Sequence, residues 1–302
     1  MIFNRPEVTA VVFEKIKQQK PARLYIAADG ARKNNEGENE KCESARQIVT
    51  NGIDWDCEVQ TLFRNENLGC GKAVSQAISW FFEYEEEGII LEDDCLPSDS
   101  FFLFCTNMLE RYRDNSKVMH IAGTNLNDAT KFGNATYYFC NYPHVWGWAT
   151  WRRAWCNYDF ELKDTRLYTK LIHKLFKDPF EVRFWKTVLR TVSDIDTWDY
   201  QWMFSIWRAN GICANTNYNF ILNIGFDSDA THTTYQNPHT NLQKRHISNV
   251  IHPNCIEIDQ DGDEAFLQIV HGLKRRGYWN YFLMRGHNLV HKIKLLINLQ
   301  KR

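Results

Sequence analysis

The chain has 302 residues, of which 44% are hydrophobic and 24% charged, proportions typical of a globular protein. Its formal net charge of −1 gives no support to a whole-molecule attraction to nucleic acid, so nucleic acid is not expected as a partner. The nine cysteines are odd in number and form no C-x-x-C pair, which argues against a disulfide framework or a zinc site and favours reduced thiols in a cytoplasmic protein. No run of about 18 apolar residues is present, so no membrane-spanning helix is predicted.

The first 125 residues alternate between helical and extended patterns. The predicted helices are residues 6–19, 44–51, 69–84 and 98–113, and the predicted strands are 23–28, 57–63, 89–91 and 118–122. Such alternation predicts a parallel sheet covered by helices on both faces, a doubly wound architecture of the nucleotide-binding type. Only Ile2 and Phe3 precede the first helical pattern, so either the opening strand is very short or the chain begins late in it. The acidic run 85–87 is expected to be a solvated, frayed helix end.

The second half has a different character. It contains Trp-rich turns, predicted helices at 165–177 and 180–192, a third helix opening at Trp198, and short strands at 212–215 and 219–222. No linker separates the halves, so residues 1–125 and 126–270 are interpreted as two parts of one compact unit, followed by a tail at 271–302.

The tail is basic and amphipathic. From Gly272 to Arg302 it carries eight Lys or Arg and no Asp or Glu, with aromatic and aliphatic residues between them. Such a segment can bind an anionic membrane surface, and it is equally typical of a terminal helix that docks on its own domain. The expected location is the cytoplasm, with peripheral contact at the cytoplasmic face of the membrane as the alternative.

Three acidic residues, Glu92, Asp93 and Asp94, directly follow the apolar strand at 89–91. They would lie at the carboxyl edge of the sheet, where open α/β sheets bind ligands. Carboxylates crowded there repel one another, and a hard divalent cation such as Mn²⁺ or Mg²⁺ is their usual partner, often shared with phosphates. The alternative is an acidic surface turn ahead of a helix.

Four tryptophans lie within residues 146–155. Trp146 or Trp148 could provide a stacking face for a sugar, and Gly147 would let the backbone approach that sugar closely. Most of the four tryptophans are nevertheless expected to pack in the core between the two halves.

Asp199 lies between Trp198 and Trp202 in the sequence. A carboxylate between aromatic side chains is desolvated, which raises its pKa toward values that suit a general base. The alternative is helix capping, in which Asp196 is the N-cap and Asp199 is favoured by the helix dipole. Further along, His232 lies in a polar loop, either exposed for ligation or simply solvated.

Several of these segments, taken in order, resemble the GT-A glycosyltransferases, in particular the N-acetylglucosaminyltransferase-I-like inverting branch and related bacterial sugar transferases. The resemblance covers about residues 3–235 and rests on Phe3-Asn4-Arg5-Pro6, Asp29-Gly30, Arg64-Asn65-Glu66-Asn67-Leu68-Gly69 and Glu92-Asp93-Asp94. It implies a GT-A fold, an α/β architecture with a Rossmann-like, doubly wound, mostly parallel sheet flanked by helices and a mixed α+β acceptor half.

The resemblance also implies roles for individual residues. Asp94 would bind the metal, Mn²⁺ or Mg²⁺, and His232 would complete the metal shell, as a late histidine does in many GT-A enzymes. Asp199 matches the catalytic base of the branch, and Asp29 matches the residue that pairs with a uracil-type base. The residues expected to contact the nucleotide sugar are Asn4, Arg5, Asp29, Arg32, Asn67, Gly69, Lys72, Glu92, Asp93, Trp146 and Gly147, with Arg5, Arg32 and Lys72 as candidates for the diphosphate.

The sequence therefore predicts a metal-dependent, inverting glycosyltransferase of the hexosyl or N-acetylhexosaminyl type. Its donor would be a nucleotide-diphosphate sugar, UDP-linked, bound by residues 1–125, and its acceptor a hydroxyl of a glycan or lipid-linked glycan, held by residues 126–270. One alternative is a non-catalytic carbohydrate-binding protein that uses the Trp cluster. Another is a sugar-nucleotide nucleotidyltransferase, but those enzymes carry a Gly-rich, Lys/Arg-bearing loop after the first strand, which the segment 3–6 lacks.

Overall fold

The computed structural model describes residues 1–127, 130–225 and 245–274. Its helices are α1 (Pro6–Gln19), α2 (Glu38–Gly52), α3 (Cys70–Tyr84), α4 (Asp99–Tyr112), α5 (Arg152–Trp155), α6 (Thr165–Leu175), α7 (Pro179–Thr191), α8 (Asp199–Arg208) and α9 (Gln260–His271). Its strands are β1 (Arg23–Ala28), β2 (Glu58–Phe63), β3 (Glu87–Ile90), β4 (Cys95–Pro97), β5 (Val118–Ala122), β6 (Tyr137–Cys140), β7 (Trp148–Trp151), β8 (Ile212–Thr216) and β9 (Ile221–Asn223). None of the helices in these ranges is long and apolar enough to span a membrane.

Residues 1–3 join the first two strands to the rest of the sheet structure. Strand β1 pairs in parallel with β2 over its whole length. On the other edge of β1, Ile2 forms a parallel bridge with Ala28. The nitrogen of Met1 donates to the carbonyl oxygen of Leu91 (2.8 Å), just beyond the end of β3. The short opening segment therefore contacts both β1 and β3.

The larger sheet is mixed rather than mostly parallel. Its strand order is β3-β7-β5-β8-β6, and within it only β5 and β8 pair in parallel. A further antiparallel pair joins β4 to β9. The described chain is thus a mixed α/β protein, and the prediction of one mostly parallel sheet is wrong for this region. Strands β6 and β7 were not predicted from the sequence; β6 pairs with β8, and β7 pairs with β3 and β5, all of them distant along the chain.

Helix α2 begins earlier than predicted. The helix α1 and the strands β1 and β5 have the bounds that the sequence predicted, whereas α2 starts at Glu38 instead of Ser44. The stretch 31–41 is polar and was expected to be a loop, but Glu38 and the nearby Cys42 are buried. Polar and charged residues lie between these two buried positions, so the sequence shows no apolar helical period there.

The acidic run 85–87 is not a frayed helix end, as had been expected. Glu85 is buried and accepts a hydrogen bond from the hydroxyl of Tyr25 (2.9 Å). Glu86 forms an ion pair with Arg152 (2.7 Å), and the next residue opens β3. The run therefore connects the end of α3 to Tyr25 of β1 and to Arg152 of α5 before the chain enters β3.

The Trp-rich segment forms the core that connects β7 to α8. The ring of Trp148 is fully buried and stacks on Trp198 and on His120, with ring centroids 5.5 and 4.9 Å apart. Trp155 and Trp202 lie beside it, with centroids 6.1 and 6.0 Å away. Aromatic pairs at these distances add to the free energy of burial, so this cluster is a main source of packing stability in the second half.

His120 is a neutral side chain at the centre of this core. Its Nδ1 accepts from the indole N–H of Trp202 (3.2 Å), and since an indole can only donate, the proton of His120 is on Nε2, which donates to the carbonyl oxygen of His144 (2.9 Å). Burial lowers the pKa of His120 to about 3.

We expect His120 to make the fold acid-sensitive. In the unfolded chain its pKa is about 6.5, so the unfolded state binds a proton that the folded state excludes as the pH falls from about 6.5 toward 3. His120→Gln can keep both hydrogen bonds without titrating. Its free energy of unfolding, measured by urea denaturation from about pH 7 to about pH 4, should fall less steeply than that of the parent, by up to about 1.4 kcal/mol per pH unit.

The matched control for this prediction is the exposed His173, changed to Gln, which should leave the pH profile of the parent unaltered. Parallel profiles for the parent and for His120→Gln would show that His120 is not the group responsible.

Candidate functional site

A pocket of about 170 Å³ lies where the carboxyl ends of β1 and β3 meet the start of α3. Of the predicted site residues, it brings together Asn4, Arg5, Asp29, Arg32, Asn67, Gly69, Glu92 and Asp93. These residues come from four separate segments of the sequence. Cys70 and Asp196, which the sequence did not assign to a ligand, line the same pocket.

Arg5 is the cation that faces the acidic cluster, defined as Glu92, Asp93 and Asp94. Its guanidinium forms an ion pair with Asp93 and a second one with Asp94 (3.1 Å). Arg5 was predicted to contact a diphosphate, and in the structure these two carboxylates hold it at the pocket wall. The side chains of all three paired residues are largely shielded from solvent, so the pairing is stronger than it would be at the surface.

The acidic cluster carries more negative charge than Arg5 neutralises. Burial, and then the charges of Asp94 and Asp93, raise the pKa of Glu92 to about 8. The buried Oδ2 of Asp93 has no hydrogen-bond partner among the described residues. An unpaired buried carboxylate oxygen costs free energy, so this position favours an additional cation or hydrogen-bond donor.

Carboxylate oxygens, which the acidic cluster supplies, are the type of donor that a hard divalent cation prefers. Within residues 1–127, 130–225 and 245–274, no group of three or more His, Cys, Asp or Glu side chains is arranged to hold a metal ion. Mg²⁺, however, is commonly bound through one or two carboxylates together with substrate phosphates rather than by an all-protein cage. Asp94 and Asp93 supply carboxylates of that kind, whereas His232, the other predicted ligand, lies outside the described residues.

Asp29 fixes the segment that precedes α3. Its carboxylate accepts the N–H groups of Leu68 (3.0 Å) and Gly69 (3.2 Å), while Asn67 donates to the carbonyl oxygen of Gly30 (2.8 Å). Burial raises the pKa of Asp29, and the hydrogen bonds from the backbone oppose that rise. The carboxylate expected to read a base is thus bonded to the protein's own backbone, and the base-reading role stays a prediction.

Glu38 organises a second wall of the pocket and was missed by the sequence reasoning. Its carboxylate accepts from Nε of Arg32 (3.0 Å), from the backbone N–H of Arg32 (2.6 Å) and from the amide of Asn4 (2.9 Å). Burial raises the pKa of Glu38, but the hydrogen bonds from Arg32 and Asn35 outweigh it and lower the pKa to about 2. Nothing in the sequence marked Glu38, because an acid in a polar stretch usually faces solvent.

Asp196 connects the second half of the chain to the pocket. Its two carboxylate oxygens accept the N–H groups of Cys70 (2.8 Å) and Gly71 (2.7 Å) at the start of α3. Gly69 has a φ of 79°, and a Cβ there would lie 3.0 Å from Cγ of Asp196, so only glycine permits this contact. The expectation that Asp196 caps the helix following it is wrong: the N-cap of α8 is Trp198, and Asp196 caps α3 instead.

Asp199 begins α8 and is half-buried, and it accepts the N–H of Tyr200 (2.9 Å). Asp199 does not line the pocket. Burial, and then the charges of Glu92, Asp196 and Asp199, raise the pKa of Cys70, which does line it, to about 12.

Five of the predicted residues that the structure describes are not in the pocket lining: Asp199 and the four that follow. Lys72 is exposed on α3. Gly147 has a φ of 62°, and a Cβ there would lie 2.6 Å from Cγ1 of Ile221, so close packing accounts for the glycine. Trp146 packs, partly buried, on a core cluster. Asp94 contacts Arg5 from beside the pocket, and its carbonyl oxygen accepts the N–H of Ile224 (2.9 Å).

Comparisons with known proteins leave the family open. No family model matches the chain, and no curated protein sequence matches it. Among solved structures, it is similar to 4-diphosphocytidyl-2C-methyl-D-erythritol synthase from Anaerococcus prevotii, at 12% identity and a TM-score of 0.30, over 69% of this chain and 94% of that one. A similarity at that TM-score carries no argument about fold or function.

We expect Asp196→Ala to destabilise the protein by about 1 to 2 kcal/mol, because two backbone N–H groups at the start of α3 lose their acceptor. The free energy of unfolding from urea denaturation measures this loss. Asp194→Ala is the matched control, since Asp194 is also exposed and among the described residues its carboxylate accepts from the neighbouring Ser193. Equal stabilities of the two variants would show that the cap contributes nothing.

Proposed function

We propose that the protein is a metal-dependent, inverting glycosyltransferase of the GT-A type. It would move a hexosyl or N-acetylhexosaminyl group from a UDP-linked donor to a hydroxyl of a glycan or a lipid-linked acceptor. The observation that carries the proposal is the convergence of residues 4–5, Asp29, the 64–69 segment and the acidic cluster on one pocket. That pocket lies at the carboxyl ends of β1 and β3, where α/β sheets bind nucleotides.

The donor would occupy the pocket with its diphosphate near the guanidinium groups. Arg32 and Arg64 line the pocket together with Arg5, and guanidinium groups suit phosphate oxygens in charge and in geometry. The hydrogen bonds that Asp29 accepts from Leu68 and Gly69 would keep the 64–69 segment in place along the nucleotide.

Mn²⁺ or Mg²⁺ would be held by Asp94, with Asp93 beside it, and would neutralise charge on the departing diphosphate. Asp94 now shares the guanidinium of Arg5 with Asp93. If the ion took over the carboxylate of Asp94, Arg5 would be available to the phosphate oxygens, which is the role that the sequence predicted for it.

Asp199 would act as the general base. It would take the proton of the acceptor hydroxyl as that oxygen attacks the anomeric carbon and the bond from that carbon to the diphosphate breaks. The indoles of Trp198 and Trp202, on either side in sequence, are buried. A base in this position belongs to the second half of the chain, so residues 126–270 would hold the acceptor and residues 1–125 the donor.

The tail would bring the enzyme to a lipid-linked acceptor. Residues 271–302 would make peripheral contact with the cytoplasmic face of a membrane through their basic and apolar side chains. Residues 275–302 lie outside the described ranges.

We expect Asp94→Ala and Asp199→Asn each to lower the Mn²⁺-dependent release of UDP from UDP-sugars by at least about 100-fold, because one removes a metal ligand and the other the base. A coupled UDP-detection assay with a panel of UDP-hexoses and UDP-N-acetylhexosamines measures the release. The exposed Asp114, changed to Asn, is the control and should retain activity. Full activity in either test variant would remove that residue from the mechanism.

Thermal denaturation with UDP, sugar binding and the identity of the released product distinguish the proposed transferase from its two alternatives. A rise in melting temperature with UDP that requires Mn²⁺ and disappears with EDTA supports the donor site. Sugar binding without any binding or release of nucleotide would instead support a non-catalytic carbohydrate-binding protein. Release of pyrophosphate from a nucleoside triphosphate and a sugar phosphate would support a nucleotidyltransferase.

A further inference from the structure

The outer surface of α6 and α7 carries a concentration of positive charge outside the candidate pocket. Residues 163–190, which span both helices, contain eight Lys or Arg and three Asp or Glu, whereas the whole chain has a formal net charge of −1. Residues three or four apart share one side of a helix. Six of the cations follow that spacing and are defined here as the basic face: Arg166, Lys170 and Lys174 on α6, and Arg183, Lys186 and Arg190 on α7.

The three acidic residues of this segment are engaged elsewhere. Asp164 and Asp178 cap the two helices, and the carboxylate of each accepts a backbone N–H of the first turn at 2.9 Å. Glu181 is buried and accepts a hydrogen bond from the hydroxyl of Tyr142. In the part of the chain that the structure describes, no carboxylate forms an ion pair with a cation of the basic face. The charge of this face is therefore available to a partner.

Both helices pack on one core, so their cations face outward on the same side. Tyr168 of α6 and Trp185 of α7 are fully buried in the same hydrophobic cluster. Three residues connect the helices, and a connection that short makes the two neighbours antiparallel. Since each buried side turns toward the common core, the cations on the opposite sides form adjacent strips of the outer surface.

The exposed apolar side chains near the basic face are aliphatic. Leu167, between Arg166 and Lys170 on α6, is 44% exposed, and Ile195, shortly after α7, is 47% exposed. The aromatic rings of the two helices are buried or partly buried, so they offer no open surface on which bases could stack. Cations interspersed with aliphatic side chains instead suit anionic lipid headgroups, between which aliphatic groups can reach the acyl boundary.

The basic tail begins next to α7. The ring of His271, at the end of α9, lies 4.9 Å from that of Phe184 and 5.3 Å from that of Trp185, both on α7. The segment from Gly272 onward, with eight Lys or Arg and no Asp or Glu, therefore starts beside this helix. A surface bound by α6 and α7 is thus close to the start of the segment for which the sequence predicts membrane contact.

We infer that the basic face binds the surface of a bilayer that contains anionic lipids. Each of its cations strengthens binding about fivefold where it reaches the headgroups. Salt screens charges beyond about 10 Å, so acidic groups on other sides of the molecule oppose this attraction little.

The bilayer would lie near the second half of the candidate site. Asp196, which lines the pocket, and Asp199 follow α7 in the chain. Membrane binding would thus bring a lipid-linked acceptor close to this part of the chain, a step that rests on the proposed function.

Sedimentation of the full chain with vesicles tests the inference. The parent should bind phosphatidylcholine vesicles that contain about one third phosphatidylserine at least about tenfold more tightly than vesicles of phosphatidylcholine alone. Lys170→Gln, Lys174→Gln and Lys186→Gln, combined in one variant, should weaken binding to the anionic vesicles at least about tenfold. The tail is the same in both proteins, so the difference reports on α6 and α7.

The matched control removes three exposed lysines outside α6 and α7. Lys20→Gln, Lys117→Gln and Lys131→Gln, combined in one variant, should bind the anionic vesicles within about twofold of the parent. Equal losses in the two triple variants would show that only overall charge matters. Binding to a DNA duplex but not to the anionic vesicles would indicate a nucleic-acid surface, and either result would overturn the inference.

The vesicle experiment is independent of the proposed activity. Sedimentation needs neither UDP nor a metal ion, and none of the substituted lysines lines the pocket, so the release of UDP should be the same in both triple variants. An inactive protein that binds the anionic vesicles through α6 and α7 would contradict the proposed function alone. An active protein that does not bind them would contradict the membrane surface alone.

Discussion

The pocket depends on one electrostatic constraint, the crowding of three consecutive carboxylates, with Asp93 buried among them, beside the guanidinium of Arg5. In the protein interior an uncompensated charge costs several kcal/mol, so the acidic cluster at the end of β3 needs Arg5 even in the absence of a ligand. Arg5 pairs with Asp93 and Asp94, and the raised pKa of Glu92 relieves part of the remaining repulsion by favouring its neutral form. The amine of Met1 is a second positive group beside these carboxylates, and the buried Oδ2 of Asp93 still has no hydrogen-bond partner among the described residues.

The same constraint explains how the first residues of the chain are arranged. Arg5 can reach the acidic cluster because Ile2 pairs with β1, Met1 bonds to Leu91 after β3, and Pro6 starts a helix immediately afterwards. Proline at the first helical turn needs no partner for a backbone N–H and has the φ of a helix already, which makes the change from strand to helix abrupt. Sheet pairing and charge compensation therefore reinforce each other within five residues.

The two halves of the chain are coupled at the start of α3 and in the aromatic core. Asp196 caps α3 from the loop before α8, and the stacked rings of Trp148 and Trp198 hold that loop against β7. A displacement of α8 would therefore also move the N-terminus of α3 and, through Gly69, the wall of the pocket. This coupling gives a physical reason why carboxylates from distant segments lie close to one cavity.

Local signals in the sequence predicted α1, β1 and β5 with the observed bounds, helped by Pro6 in the first turn of α1 and by the turn signal Asp29-Gly30 after β1. The acidic cluster was also placed correctly at the end of a strand. The antiparallel strands β6 and β7 were not predicted, because the strands they pair with, β8 for β6 and β3 and β5 for β7, lie far from them in the sequence.

The sequence also could not predict which groups the charged side chains contact. Glu38 and Asp196 hold the pocket together through contacts with Asn4, Arg32 and the start of α3, and such contacts exist only once segments far apart in the chain have folded against each other. Conversely, Gly147 looked like a position for close approach to a ligand, but its φ and its contact with Ile221 are demands of packing. A residue type alone does not distinguish these two causes.

Residues 1–3 connect the pairing of β1 to the charge compensation in the pocket. Met1 lines the pocket and also the apolar cavity beside it, and Ile2 and Phe3 continue into the pocket wall. Since Asn4 and Arg5 follow directly, whatever fixes residues 1–3 against β1 also fixes the cation that compensates the acidic cluster. When residues 1–3 are ordered by the sheet, Arg5 loses less conformational entropy on forming its ion pairs, so order in the sheet and charge compensation in the pocket are expected to strengthen together.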